Sequence, residues 1–244
     1  MINRLHLGDC LEIMKDIPDN SVDAVICDLP YGTTQCKWDS VIDFDKLWKE
    51  LHRVGKITCP YVMFGSQPFT SKLITSNINN FKYQWIWEKS KASNYINSKH
   101  QPMKAHEDIA VFYRKKATYN PQMWQSTPYD KGSDIRPTEV YGDQKECHVK
   151  SDGLRYPRSV QYFTTAEHEG KLHPTQKPIA LLEYLVKTHS NPSDLILDPT
   201  MGSGGTLLAA KKLDRNYIGI EKEEKYYDIA KQRLNTDVQL VWSI

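Results

Sequence analysis

The chain has 244 residues, a formal net charge of +2 and a hydrophobic fraction of 39%, values typical of a folded globular protein and not of a disordered or fibrous one. No apolar run exceeds about five residues, which excludes a membrane-spanning helix of about 20 residues. The first residues show no secretory signal, and the five cysteines form no Cys-x-x-Cys pair. We therefore expect a reducing, cytoplasmic setting with neither a disulfide framework nor a structural zinc site.

The first part of the chain alternates between predicted strands and helices. Apolar patterns predict strands at 4–7, 22–27, 61–64, 83–87 and 109–113, and helices at 9–17, 44–51 and 68–74. The run at 22–27 is rich in β-branched residues, as in a buried strand of a parallel sheet. It ends at a loop beginning with Asp28, because Pro30 and Gly32 interrupt regular structure.

A change of pattern follows at about residue 117. Between 117 and 172 the apolar periodicity is lost and prolines recur at irregular intervals, which predicts an inserted, loop-rich segment with a binding role. The preceding stretch, 82–116, carries eight Lys or Arg against three Asp or Glu. Such a basic excess, mixed with aromatic residues, suits nucleic acid, although it is also compatible with a solvated surface.

The periodic pattern returns in the last part of the chain. We predict a helix from Ile179 to His189, strands at 195–197 and 217–220, and helices at 207–213 and 226–234. Strand–helix alternation at both ends predicts a doubly wound, Rossmann-like α/β sheet with the insertion between its halves.

The glycine-rich turn at 201–206 and the acidic Glu221 form the first candidate site. A glycine turn between a strand and a helix lets a ligand approach free backbone N–H groups. An acidic residue at the end of the next strand can accept hydrogen bonds from ribose hydroxyls. This pattern predicts a site for an adenosine-bearing cofactor and leaves a nicotinamide-dependent dehydrogenase open. The spacing Gly-x-Gly-Gly departs from the dinucleotide pattern.

The run Asp28-Leu29-Pro30-Tyr31 forms the second candidate site. Because it follows a buried strand, it is expected at the carboxyl edge of the sheet, where open α/β sheets bind ligands. The Asp28 carboxylate and the Leu29 carbonyl can accept N–H groups from an exocyclic amine, and Tyr31 can stack on a base. A strand-end turn with a capping Asp is the structural alternative.

These motifs resemble those of the β-class amino-group DNA methyltransferases, which use S-adenosylmethionine (SAM). Residues 28–31 resemble the Asp-Pro-Pro-Tyr motif of that family, 198–206 its SAM loop, and 173–178 the segment that precedes the loop. The order also agrees, which implies a permuted methyltransferase fold. Residues 1–116 would form the catalytic half, 117–172 the target recognition insertion and 173–244 the SAM-binding half.

The resemblance implies roles for individual residues. Asp28 and Leu29 would accept the target amino group, Pro30 would stiffen the loop, and Tyr31 would stack on a flipped base. The implied cofactor site places Glu221 at the ribose, Asp9 and Cys10 at the adenine, and Lys177 near the SAM carboxylate. Its remaining implied members are His173, Thr175, Gln176, Asp198, Met201, Gly202, Ser203, Gly204 and Thr206.

Three positions depart from the family pattern. Leu29 replaces a proline, but its expected contact is a backbone carbonyl, which the replacement retains. Met201 stands where phenylalanine is usual, and Gly205 where Thr or Ser is common. Histidines 168 and 173 lack a partner at metal-ligand spacing, so no metal site is expected.

The expected activity is methylation of double-stranded DNA, with adenine N6 favoured because Asp28 heads the motif. Cytosine-N4 methylation, an RNA or protein amino-group substrate, and a catalytically silent DNA-binding module stay open. We expect the protein to serve a modification system, without contact with a membrane. The sequence permits a homodimer, and it identifies neither a restriction partner nor a recognition site.

Overall fold

The computed structural model of the chain describes residues 2–32, 39–134, 147–166 and 176–236. The strands are β1 (Arg4–Leu7), β2 (Ala24–Cys27), β3 (Tyr61–Gly65), β4 (Phe81–Ser93), β5 (Lys104–Phe112), β6 (Trp124–Gln125), β7 (Tyr129–Asp134), β8 (Cys147–Ser151), β9 (Leu154–Arg155), β10 (Val160–Phe163), β11 (Leu195–Asp198) and β12 (Asn216–Glu221). The α-helices are α1 (Cys10–Ile13), α2 (Phe44–Val54), α3 (Phe69–Ser76), α4 (Ile179–His189), α5 (Gly205–Lys212) and α6 (Glu224–Thr236). Short 3₁₀ turns follow α1 at Met14–Asp16 and β4 at Tyr95–Asn97. Within these described ranges, no helix is long and apolar enough to cross a bilayer.

Eight strands form the main sheet in the order β1-β12-β11-β2-β3-β5-β4-β10. The strands from β1 to β3 in this order run parallel, β5 is antiparallel to both β3 and β4, and β10 is parallel to β4. From β2 the chain continues to one side of the sheet, and from β11 it continues to the other. The carboxyl ends of β11 and β2 are therefore a topological switch point, where open α/β sheets form their ligand crevice.

Two apolar layers hold helices on both faces of this sheet. One core packs α1, α2 and α3 against the first face, and the others pack α4, α5 and α6 against the second. Helix α2 shows why: Leu47, Trp48, Leu51 and Val54 are buried along one side, and Asp43 caps its first turn by accepting the Lys46 N–H at 3.2 Å. The doubly wound architecture agrees with the sequence pattern.

Residues 121–158 form a separate compact unit. Within it, β6 pairs with β9 and β7 pairs with β8, both antiparallel. The rest of the chain, 1–120 and 159–244, forms the unit that contains the main sheet.

Several strands differ from the sequence expectation. The hairpin of β4 and β5 extends well beyond the predicted 83–87 and 109–113; its outer half is polar, so no apolar alternation predicted that part. Strands β6 to β10 lie inside the segment 117–172 that was expected to be loop-rich. Strand β10 is as short as β2 and β11 but lacks their continuous apolar run, so no pattern identifies it.

Candidate active site

The two candidate motifs meet at the switch point. Strands β11 and β2 are hydrogen-bonded neighbours, with Leu197 opposite Val25. Beyond their ends, the Thr200 hydroxyl donates to the backbone carbonyl of Asp28 at 3.0 Å. The loop that carries Asp28 and the loop that carries the glycine turn are thus joined by a hydrogen bond, although Asp28 and Thr200 are 172 positions apart in the chain.

One cleft of about 420 Å³ contains both motifs. Among the described residues, every predicted site residue except Gly204 lines it: Asp9, Cys10, Asp28, Leu29, Pro30, Tyr31, Gln176, Lys177, Asp198, Met201, Gly202, Ser203, Thr206 and Glu221. His173 and Thr175 lie outside the described residues. Lining residues that the sequence analysis did not identify include Gly8, Phe64, Thr200, Lys222, Tyr226 and the segment 39–43.

The Asp28 carboxylate lies partly buried in this cleft and accepts two hydrogen bonds. The Tyr31 hydroxyl donates to Oδ1 and the Lys177 ammonium donates to Oδ2, each at 2.6 Å. Burial raises the pKa of Asp28, the Lys177 charge opposes this rise, and the nearby Glu107 adds to it. The Tyr31 ring stacks on Phe69 with centroids 4.7 Å apart, which fixes the plane that it presents.

Lys177 links Asp28 to a second carboxylate. Its Nζ atom lies 2.6 Å from Asp28 Oδ2 and 3.1 Å from Glu107 Oε2, and Glu107 also pairs with Lys89. Burial alone would lower the pKa of Lys177, but the two carboxylates raise it well above its usual value. Burial likewise raises the pKa of Glu107, and the two lysines more than offset that rise. Lys177 therefore forms ion pairs with both Asp28 and Glu107, and its role near the SAM carboxylate, which the resemblance implies, stays a prediction.

Glu221 lies at the carboxyl end of β12 and lines the cleft. Its two oxygens accept the backbone N–H groups of Gly202 and Glu223, both at 2.9 Å. Its carbonyl accepts the Gly8 N–H at 2.9 Å, which joins the start of the Asp9 loop to the same edge. The Asp9 side chain caps α1 by accepting the Leu11 N–H at 2.8 Å. These bonds connect three loops around one acidic side chain.

Asp198 ends β11 beneath the glycine turn and is only 3% exposed. Burial raises the pKa of Asp198 to about 7, although hydrogen bonds from the Thr206 hydroxyl and the Thr200 backbone act in the opposite direction. Through its hydrogen bonds with Thr200 and Thr206, this carboxyl group ties the glycine turn to the end of β11.

The glycine turn is closely packed. Gly204 has a φ of +75°, and a Cβ there would lie 2.9 Å from Ala230 Cβ, so only glycine meets both demands. Gly204 faces α6, which explains why it does not line the cleft. Met201, the departure from the usual phenylalanine, is buried and occupies the space above Gly219.

The cleft fits an adenosine-bearing cofactor. Its volume lies within the range of about 300–1,000 Å³ of small-molecule sites. Helix α5 begins at Gly205 without a side-chain cap, so its first turn presents backbone N–H groups to a ligand. A carboxylate at the end of the neighbouring strand, Glu221, supplies the acceptor that ribose hydroxyls need.

Comparisons with known proteins agree with this geometry. A family profile described as DNA methylase matches residues 22–232. The type II methyltransferase M.HinfI of Haemophilus influenzae is 30% identical over 96% of this chain and 68% of its own length. The type II methyltransferase M1.MboII of Moraxella bovis is 29% identical over 96% of this chain and 97% of its own length.

Solved structures show the same fold. The crystal structure of the M1.HpyAVI–SAM complex has a TM-score of 0.66 and 28% identity, covering 95% of this chain and 98% of that one. The cytosine-N4-specific PvuII DNA methyltransferase has a TM-score of 0.67 and 17% identity, covering 96% and 86%, which shows the fold alone. The Rossmann-like methyltransferase fold and SAM as the cofactor are thereby confirmed. The chain belongs to the family of SAM-dependent DNA methyltransferases that modify adenine N6 or cytosine N4.

Proposed function

We propose that the protein methylates the N6 amino group of adenine in double-stranded DNA at a specific sequence. The observation that carries this proposal is the single cleft that holds Asp28 and the glycine turn. The family resemblance supports adenine over cytosine, because the motif begins with Asp28 and adenine enzymes of this family have Asp there more often than cytosine-N4 enzymes, which tend to have Ser. The cytosine-N4 alternative is kept because a fold relative has that specificity.

The cofactor half of the cleft would orient the methyl donor. When bound, SAM supplies an electrophilic methyl group on a sulfonium centre. Glu221 would accept hydrogen bonds from the ribose, while Asp9 and Cys10 border the adenine side. The methionine part would be enclosed by the residues of the glycine turn that line the cleft, Met201, Gly202, Ser203 and Thr206. The N-terminus of α5 would favour its carboxylate.

Asp28 would hold the target amino group. Tyr31 and Lys177 each occupy one of its oxygens, and a carboxylate has further lone pairs to accept a substrate N–H. Positive charge develops on the nitrogen as it gains a methyl group, and a fixed carboxylate stabilises that charge. The Leu29 carbonyl offers a second acceptor, and after the transfer the methylated nitrogen would lose its proton to solvent, with the Asp28 carboxylate as the nearest acceptor.

Target choice would lie with the insertion. Residues 117–172 would contact the duplex together with the basic stretch 82–116. The target base must leave the helix to reach a carboxylate in a cleft. A bacterial or phage modification system in the cytoplasm would be the setting.

Nucleoside analysis tests this proposal. Purified protein is incubated with methyl-labelled SAM and unmethylated genomic DNA, and the digest is separated. Label in N6-methyladenine, absent with an Asp28→Asn variant purified in parallel, is the expected result. Label in N4-methylcytosine would contradict the base assignment, and label only in added RNA or protein would contradict the DNA assignment. Sequencing of the modified DNA then identifies the recognition site.

A further inference from the structure

The outer end of the β4–β5 hairpin presents large apolar side chains to solvent. We call residues 94–103 the hairpin tip. Ile96 is 93% exposed and Tyr95 is 77% exposed. Every residue from Tyr95 to His106 is exposed. Tyr95 and Ile96 are adjacent, so together they form a small exposed apolar patch at a projecting turn, and a partner that covered this patch would remove apolar surface from water.

Hydrogen bonds fix the shape of this tip. Asn94 adopts a φ of +70°, and its side-chain oxygen accepts the Asn97 amide at 2.8 Å. The backbone N–H of Ser98 donates to Tyr95 at 2.9 Å, and that of His100 donates to Asn97 at 2.9 Å. The two apolar side chains therefore stand on a braced 3₁₀ turn, and less conformational entropy is lost when they are inserted into a partner.

The charge around the tip suits a polyanion. Between residues 90 and 106 there are three lysines and two histidines and no Asp or Glu, while the preceding Lys89 is paired with Glu107. Lys99 is exposed at the tip itself, and the exposed Lys104 is also within hydrogen-bond distance of Ser66. An apolar wedge flanked by cations is the arrangement with which proteins enter a base step of DNA.

The position of the tip fits the same partner. Strand β5 pairs with β3 only as far as Asp108 opposite Gly65, so residues 104–107 run past the carboxyl edge of the sheet by about 10 Å. This is the edge that holds Asp28. The base of the hairpin is anchored there, because Glu107 contacts Lys177, which contacts Asp28.

We propose that the hairpin tip is a wedge, in which Ile96, supported by Tyr95, enters the duplex and lowers the cost of extruding the target base. This inference rests on the proposed function and extends it. The occupant of the exposed patch is duplex DNA, because a second copy of this basic tip would be repelled. No residue of the wedge touches the reacting atoms.

Mismatched DNA gives the test. A base that is already mispaired needs less energy to leave the stack, so it depends less on a wedge. Two duplexes carry the mapped recognition site, one fully paired and one with the target base mispaired. Methylation is measured under single-turnover conditions for the wild type, Ile96→Ala, Ile96→Phe and Ile78→Ala. Ile78 is a matched control, since it is 57% exposed but precedes the opposite end of β4.

For Ile96→Ala we expect the rate on paired DNA to fall by at least about tenfold and the rate on mismatched DNA to change by less than about twofold. Ile96→Phe should retain the wild-type ratio, and Ile78→Ala should behave as wild type. Fluorescence of 2-aminopurine at the target position should rise on binding of the wild type and less for Ile96→Ala.

The wedge proposal is overturned if Ile96→Ala loses methylation rate equally on both duplexes, or loses none on either. It is also overturned if the variant changes only the self-association of the protein, measured by sedimentation. If the wild type methylates DNA and Ile96→Ala does so equally well, the wedge proposal is contradicted and the proposed function is not. If the wild type shows neither methyl transfer nor a rise in fluorescence, the proposed function is contradicted as well.

Discussion

Lys177 is the only described cation bonded to both Asp28 and Glu107, and this double contact gives it a definite electrostatic role. Without it, two carboxylates would face each other in a partly buried site. The pKa of Asp28 would then rise, because burial and the like charge of Glu107 both raise it, whereas Glu107 would keep its pairing with Lys89. A neutral Asp28 would be a poorer acceptor for the substrate amine.

Lys177→Met tests this role. Because the variant removes the charge that lowers the pKa of Asp28, the acid limb of the methylation rate should move to higher pH by at least about one pH unit. Lys177→Arg keeps the charge and should leave the acid limb close to that of the wild type. The measurement is the single-turnover rate across pH, with SAM affinity recorded for each protein. An unchanged profile with weakened SAM affinity would instead place Lys177 at the cofactor, as the family resemblance implied.

Asp198 gives a second prediction at this scale, for stability. Its pKa is about 7 in the folded chain against 3.8 ordinarily, so the folded state binds the proton more tightly than the unfolded state does. The stabilisation that protonation of Asp198 gives the folded state is therefore complete below pH 4 and is lost as pH rises toward 7. This loss lowers the free energy of unfolding by about 4 kcal/mol at most. Asp198→Asn should abolish this loss.

Urea unfolding between pH 4 and pH 8 measures the effect. As pH rises, the free energy of unfolding of Asp198→Asn should increase relative to that of the wild type. Asp214→Asn, at an exposed position, is the control for removal of a surface charge. Parallel pH profiles for the wild type and Asp198→Asn would show that Asp198 does not carry the dependence.

At the scale of elements, the contact between β12 and α5 determines how the glycine turn is held. A Cβ at Gly219 would lie 2.2 Å from Leu207 Cδ1 and 2.5 Å from Met201 Sδ. Both neighbours are buried side chains in a packed core, so they cannot move away freely.

Gly219→Ala should therefore lower the free energy of unfolding by about 1–3 kcal/mol through overpacking. Adding Leu207→Ala opens space for the new methyl group, so the double variant should lose less than the sum of the single losses. Chemical denaturation of the four proteins gives the coupling energy. Strict additivity would mean that Gly219 and Leu207 do not compete for the same space.

Prediction from sequence succeeded for elements with a clear apolar pattern and failed for those without one. Helix α2 could be predicted because its apolar residues recur at helical spacing, and strands β2 and β11 could be predicted because each is a continuous apolar run. Strand β10 could not, because its place beside β4 is determined by contacts between Val160–Phe163 and Ile86–Lys89, far apart in the chain. The outer half of the β4–β5 hairpin is polar, so no pattern marked its length.

At the scale of the whole molecule, the site exists because β2 and β11 are neighbours in the sheet. Periodicity could predict each strand and its loop, but not that the two strands lie side by side; that expectation came from motif order. The pairing of Lys177 with Glu107 and Asp28 was beyond sequence reasoning, because side-chain partners across three elements leave no spacing signal. The sequence analysis identified the hairpin tip only as part of the basic stretch 82–116, and it did not predict the exposure of Tyr95 and Ile96.

In the proposed function, one cleft serves two tasks with two sets of residues. The glycine turn and Glu221 would bind the cofactor, and Asp28 would bind the substrate; both sets line the cleft. A substitution at Asp28 should therefore affect methyl transfer without preventing cofactor binding.

The most direct measurement of this central claim is single-turnover transfer of labelled methyl from SAM to DNA by Asp28→Ala, with SAM affinity determined by calorimetry on the same sample. We predict that SAM affinity stays within about threefold of the wild type while transfer falls by at least about a thousandfold, as when a group that stabilises developing charge is removed. Wild-type transfer by Asp28→Ala would contradict the account.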